Sequence, residues 1–150
     1  LLVAADALAS ANVLAVREKI AEDLEAGTPV VLLAPRVPAV FFVGSPSPAL
    51  VATITAKALM ALVASSANTL IIACDGLSAI GLESMAAAEK AVLEAAFPTA
   101  TYILVGTSRA AKALHAKWVA DGVRCDRVDE IQHAVRDCLA RNGYTLMPIP

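Results

Sequence analysis

Two uninterrupted aliphatic segments constrain the fold of this chain more than any other feature. TLIIAC (69–74) and TYILV (101–105) are of strand length and have no polar side. Amphipathic helical patterns alternate with them, over 50–63, 83–96 and 109–120. A strand that is apolar on both sides needs cover on both sides, which a parallel sheet between helices supplies. The alternation therefore predicts an α/β fold with a mostly parallel sheet and helices on both faces.

The N-terminal part of the chain predicts a leading helix followed by a short hairpin. Apolar residues recur at helical spacing over 6–25, and Gly27 is a stop signal. Two short strand-like runs, over 30–33 and 39–43, flank a connection with two prolines, which cannot continue a helix. We therefore expect a leading helix within 1–27, with the sheet and its helices in 28–150.

The C-terminal part continues the alternation. A weak strand over 124–128, a helix over 129–141 and a last strand over 144–149 are expected. The chain has 150 residues, a usual length for one domain, and shows no linker. We expect a single Rossmann-like α/β domain over 1–150.

Charge and cysteine content exclude several classes of function. The 12 basic and 14 acidic residues are scattered, so no basic surface for nucleic acid is expected. Charges or prolines interrupt every long apolar run, so membrane insertion is not expected. The three cysteines lack CxxC spacing and predict neither a disulfide framework nor a metal site. This pattern fits a reducing compartment, the cytoplasm or an organellar matrix, and not secretion.

Three predicted loops at strand ends, over 44–47, 75–78 and 106–109, carry the candidate ligand-binding residues. The carboxyl ends of parallel strands meet at one edge of a sheet, where helix N-termini present free N–H groups. The candidates combine hydroxyl, carboxylate, amide and guanidinium groups; they are Ser45, Ser47, Asp75, Gly106, Thr107, Ser108 and Arg109. The last four could converge on a phosphate or carboxylate.

Ordinary structural roles compete with these assignments. Thr107 or Ser108 could simply cap the following helix, and Asp75 could turn the chain into a glycine-containing loop. Cys74 could be a nucleophile, but no base is visible beside it, which favours a buried thiol. Neither GxxxxGK[ST] nor GxGxxG occurs, so those nucleotide-binding loops are excluded and no catalytic residue is assigned.

The order of elements resembles the C-terminal domain of Mur ligases, and in particular the D-alanyl-D-alanine-adding type. The matching segments are ALASANVLAVREKIAEDLE (7–25), VFFVGSPSP (40–48) and LIIACDGLSAIGLESMAAAEKAVLEAA (70–96). The resemblance implies part of an ATP-dependent amide-forming ligase. ATP and Mg²⁺ would then belong to the complete ligase, whose phosphate-binding loop lies in another domain, and this chain alone would bind no cofactor.

The chain departs from the Mur pattern at three positions. Ser47 replaces an Asn, Cys74 replaces a Gly, and Ala88 and Glu89 stand where a helical His is expected. A degenerate pseudoenzyme is therefore one reading, and the sequence leaves open whether the chain is an enzyme. A non-catalytic interaction or scaffolding subunit that contacts other domains or subunits is one alternative. A sensor that binds a phosphorylated metabolite at Gly106 to Arg109 is another. Asp75-Gly76 and the following helix with Glu89 resemble the sugar-phosphate-binding domain of DeoR-type repressors. AGTPVVLL and GLESM resemble dihydroxybutanone-phosphate synthase, whose acidic cluster is absent here.

Overall fold

A computed structural model describes residues 29–141, and within them a five-stranded sheet with five helices. The leading helix expected within 6–25 and the strand expected over 144–149 lie outside the described residues. The strands are β1 (Val30–Ala34), β2 (Val37–Gly44), β3 (Thr69–Leu77), β4 (Thr101–Val105) and β5 (Cys125–Val128). The helices are α1 (Pro48–Ala64), α2 (Ala79–Glu83), α3 (Met85–Ala95), α4 (Arg109–Ala120) and α5 (Ile131–Arg141).

The strands lie in the order β1-β2-β3-β4-β5. β1 and β2 form the expected antiparallel hairpin, while β2 to β5 are parallel to one another. Arg36 in the hairpin turn has φ 63°, and its Nε donates to Ser66 O at 3.1 Å. The predicted mostly parallel sheet with a short hairpin is therefore confirmed.

Helices cover both faces of the sheet, as the sequence predicts. The strand order advances in one direction, so right-handed crossovers place α1, α3 and α4 on the same face. Their apolar residues pack on Val40, Leu70, Ile72 and Leu104 in one core cluster. The last helix, α5, packs on the opposite face through Ala134 and Cys138, against side chains that include Ile71 and Ile103.

Three boundaries differ most from the sequence prediction. The strand expected over 39–43 begins at Val37 and includes Pro38, which pairs with Leu32 in the edge hairpin. The strand expected over 69–74 continues to Leu77, because Gly76 and Leu77 pair with Val43 and Gly44 at the end of β2. The helix expected over 83–96 forms as α3, and a separate short helix, α2, precedes it. Asp75 is therefore a strand residue and not part of a loop.

Adjacent helices diverge at the carboxyl end of β4 and β5. The chain leaves β4 for α4 on one face and leaves β5 for α5 on the other. A crevice opens between neighbouring parallel strands where their following helices take opposite faces, and ligands of α/β proteins bind in such crevices. None of the helices within 29–141 has the length and hydropathy needed to span a bilayer.

Candidate functional site

The three candidate loops lie side by side at the carboxyl edge, by which we mean the end of the sheet where β2 to β5 terminate. Gly44 pairs with Leu77, so the first two loops leave β2 and β3 at the same height. The third loop starts lower, because β4 ends at Val105, which pairs with Ala73, four residues before the end of β3. The Oγ atoms of Ser45 and Ser78 are 2.5 Å apart. The parallel arrangement thus brings the first two loops into direct contact.

Three serine hydroxyls at this edge cap helices. Ser47 Oγ accepts from Leu50 N at 3.2 Å at the start of α1. Ser78 Oγ accepts from Gly81 N at 3.0 Å at the start of α2. Ser108 Oγ accepts from Ala111 N at 3.0 Å at the start of α4. Of the two possible caps for α4, Ser108 is therefore the one used.

Asp75 links the second and third loops. Its Oδ1 accepts a hydrogen bond from Thr107 N at 3.2 Å. A Cβ on Gly106 would lie 3.4 Å from the same oxygen and 2.8 Å from Ala111 Cβ, so the close approach requires glycine. Because the Asp75 carboxylate already accepts this amide, Thr107 N is not free to bind a phosphate.

A shift in register explains why Asp75 projects at this edge. Between the pairs formed by Phe41 with Ala73 and Val43 with Gly76, β3 contains one residue more than β2. Such an irregularity bends the strand and redirects a side chain, and these features are common beside binding sites. Asp75 is exposed at the edge.

Arg127 and Asp129 complete the edge, and sequence reasoning missed both. Arg127 Nη1 donates to Gly106 O at 2.9 Å and to Asp129 Oδ1 at 2.6 Å, which ties β5 to the loop after β4. The hydrogen bond from Arg127 lowers the pKa of the Asp129 carboxyl. Asp129 is thus an anion at neutral pH. The available signal was a pair of opposite charges at the end of the strand predicted over 124–128, with Arg127 inside it and Asp129 directly after it.

Asp75 and Asp129 line the acidic cleft, a cavity of about 410 Å³ on the α5 face of the carboxyl edge. Its carboxylates are Asp75, Asp129 and Glu130, and none of the described residues that line it is a Lys or Arg. The other lining residues are mostly apolar; they are Phe41, Phe42, Val43, Ala73, Gly76, Val105, Ile131 and Gln132. The cleft therefore combines an apolar wall with three negative charges.

Asp75 is the one residue predicted from sequence that lines the acidic cleft. Ser45, Ser47, Gly106, Thr107, Ser108 and Arg109 do not line it, although all lie at the same edge. Arg109 is exposed in the first turn of α4. The predicted residues thus mark the correct edge of the sheet, while most of the lining comes from β2 and the start of α5.

The three cysteine side chains are buried, and neither histidine lines the acidic cleft. Burial raises the pKa of Cys74 to about 12, which leaves the thiol protonated and unreactive at neutral pH. His115 Nε2 lies 2.8 Å from Cys125 O. In the region from 29 to 141, no three His, Cys, Asp or Glu side chains cluster in a way that could hold a metal ion.

In comparisons with known proteins, no protein-family model and no curated protein matches the chain.

Proposed function

We propose that this chain is a binding domain whose acidic cleft holds a small organic amine. The observation that carries the proposal is the lining of the cleft, where three carboxylates border an apolar wall and none of the described lining residues is a Lys or Arg. Asp129 is paired with Arg127 outside the lining, so among the described residues Asp75 and Glu130 supply the unpaired negative charge. An ammonium group there would make charge-assisted hydrogen bonds. A cleft lined by charges of one sign also concentrates ligands of the opposite sign.

The apolar wall of the cleft favours ligands that have an apolar body as well as a positive charge. Phe41, Val105 and Ile131 belong to the core cluster on the α5 face and line the cleft together with Asp75. A cavity of about 410 Å³ is within the range of small-molecule sites. An amine that carries an aliphatic or aromatic body therefore fits better than a free inorganic cation.

This binding role agrees with a place in an amide-forming ligase of Mur type, which we propose as the wider context. Such a ligase joins an amine to an acyl phosphate made on another domain, and orientation of the amine contributes much of the catalysis. Asp75 would accept a hydrogen bond from the ammonium and position it. ATP does not fit this cleft, because three carboxylates would repel its phosphates.

A thermal-shift panel tests the proposal. Leucine amide is a cationic probe, N-acetyl-leucine amide is its neutral match, and ATP and glucose 6-phosphate are anionic probes. We expect leucine amide alone to stabilise the chain, by about 2.7 kcal/mol at one hundred times its dissociation constant. Stabilisation by the anions instead would favour the phosphorylated-metabolite sensor and overturn the proposal.

Two isosteric variants test whether leucine amide binds in the acidic cleft. Asp75→Asn keeps the acceptor for Thr107 N, and Glu130→Gln keeps the side-chain length, so both should fold. Each should weaken binding of leucine amide about tenfold, the usual effect of a lost charge-assisted hydrogen bond. Asp137→Asn, an exposed position on α5 outside the cleft, is the matched control and should bind normally. Equal binding by all three variants would reject the cleft as the site.

The outer side of α1 favours a second candidate, a non-catalytic interaction subunit. Its 17 residues include one charged residue, Lys57, and Leu50, Met60 and Val63 are 49%, 71% and 61% exposed. A surface helix that is apolar on all sides is unusual unless something covers it. Sedimentation velocity of the full chain and of its Met60→Lys variant tests this role. An oligomer that dissociates in the variant supports it, whereas a monomer in both cases counts against self-association.

A further inference from the structure

A second cavity lies at the opposite end of the sheet from the acidic cleft. It has a volume of about 320 Å³ and is formed where α3 ends and where β4 and β5 begin. Its apolar lining residues are Val92, Leu93, Ala96, Phe97, Pro98 and Ala100, and its polar side chains are Tyr102 and Arg124. We refer to this set, with Gly122, as the amino-edge cavity. Its volume is at the lower limit of small-molecule sites, about 300 Å³.

Tyr102 contributes a hydroxyl without a protein partner to this cavity. The residue is 3% exposed, and within 29–141 no hydrogen bond to its hydroxyl is formed. Burial raises the pKa of Tyr102, so the hydroxyl keeps its proton at neutral pH. Buried tyrosines usually direct this group towards a hydrogen-bond partner. A ligand in the cavity would supply one.

Arg124 contributes a positive charge that is not neutralised by the described residues. The ion pairs in this part of the protein use Lys90, Lys117, Arg127 and Arg141, and Arg124 takes part in none of them. Its main chain is held in place, because Arg124 O accepts from Tyr102 N at 2.8 Å. The backbone of Arg124 is thus fixed beside Tyr102, and its exposed side chain can reach a ligand in the cavity.

We propose that the amino-edge cavity binds a small organic carboxylate with an apolar body. A guanidinium binds a carboxylate through two parallel hydrogen bonds, and the tyrosine hydroxyl can donate a third. Among the described residues, none that lines this cavity is acidic, whereas three acidic residues line the cleft at the carboxyl edge. The two ends of the sheet thus select ligands of opposite charge. This site does not depend on the function proposed for the acidic cleft.

Titration calorimetry of the full chain with three matched probes tests the proposal. Phenylacetate is the anionic probe, phenylacetamide is its neutral match, and phenethylamine is its cationic match. We expect phenylacetate to bind at least about tenfold more tightly than phenylacetamide at this site. Equal affinity for the anion and the amide, or no binding of phenylacetate at its highest soluble concentration, would overturn the proposal.

Substitutions test whether phenylacetate binding depends on the residues of this cavity and not on another basic residue. Arg124→Gln should weaken phenylacetate binding about tenfold and leave phenylacetamide binding unchanged, because it removes the charge alone. Tyr102→Phe should weaken both probes by several-fold, about the effect of one neutral hydrogen bond. Arg136→Gln, on the exposed side of α5, is the matched control and should bind like the unchanged chain. Thermal unfolding verifies that each variant folds, and normal phenylacetate binding by folded Arg124→Gln would overturn the assignment.

Discussion

Lys117 Nζ lies 2.6 Å from Oε1 of Glu89, a carboxylate whose side chain is 7% exposed. The same ammonium reaches Asp121 Oδ2 at 2.8 Å. The hydrogen bonds to Asp121 and Glu89 raise the pKa of the Lys117 ammonium above its usual range. Since Glu89 is on α3 and Lys117 is on α4, this pair connects two helices on the same face of the sheet. Glu89 occupies the region where the Mur pattern expects a histidine.

Removal of the lysine should destabilise the fold. Lys117→Met leaves the buried Glu89 carboxylate without its ammonium partner, so the free energy of unfolding should fall. Urea unfolding measures the loss. The double variant with Glu89→Leu should recover much of it, because the buried charge is then gone.

Lys90→Met is the matched control for this experiment. Lys90 forms an exposed pair with Glu94 at 3.9 Å, and such pairs contribute about 0.5 kcal/mol or less. If Lys117→Met costs no more than Lys90→Met, the pair between α3 and α4 has no special role in stability.

Loss of the cap on α4 should lower stability by a smaller amount. Ser108→Ala removes the acceptor for Ala111 N, and a lost N-cap usually costs about 1 kcal/mol. Thr107→Ala is the neighbouring control, because only its backbone N–H is used, in the bond to Asp75. A larger loss of unfolding free energy in Thr107→Ala than in Ser108→Ala would contradict the cap assignment.

The close approach of α2 to β2 should make Gly81 intolerant of a side chain. Alanine is the better helix former by about 1 kcal/mol, yet a Cβ here would collide with Gly44 O and lie 2.9 Å from Leu77 Cδ2. We expect Gly81→Ala to be destabilising and to speed hydrogen exchange at Ser78 N, which donates to Gly44 O at 2.9 Å. Gly122→Ala changes a distant turn and should leave exchange at Ser78 unaltered. Slow exchange at Ser78 in Gly81→Ala would refute the tight packing.

Buried thiols should make the fold sensitive to alkali. Burial raises the pKa of Cys74 and of Cys125 to about 12, whereas the ordinary value is 9.0. The stabilising effect is complete below pH 9 and is lost as the pH rises towards 12, because the unfolded thiols ionise first. The expected slope is about 1.4 kcal/mol per pH unit for each thiol. Urea unfolding from pH 8 to about 10.5 measures it, and Cys74→Ala should show a shallower slope; an unchanged slope would rule out the contribution of Cys74.

The sequence predicts the fold well where apolar segments leave no alternative. TLIIAC and TYILV form the central strands β3 and β4, because every side chain in them can be buried. The extension of β3 to Leu77 was not predictable from the segment itself. Asp75 and Gly76 are poor strand formers, and they are extended because β2 runs alongside and pairs with Gly76. Pairing between distant segments thus overrides local preference.

The candidate site was predictable only in part. Topology identified the carboxyl edge and Asp75, because a strand's end can be read from the sequence. Phe41, Asp129 and Glu130 became part of the same cleft only because α5 packs on the opposite face from α4. No local pattern specifies which face a helix takes. The hydroxyl residues Ser47 and Ser108 fulfil the competing role of helix caps.

We propose above all that the acidic cleft at the carboxyl edge holds an amine. The most direct measurement is the change in backbone amide chemical shifts of the isotope-labelled chain during titration with leucine amide. We predict saturable shifts at Asp75, Gly76 and residues 129–132, with none at Gly122 or Arg124 at the other end of the sheet. Shifts confined to the amino edge, or equal shifts with N-acetyl-leucine amide, would contradict the account.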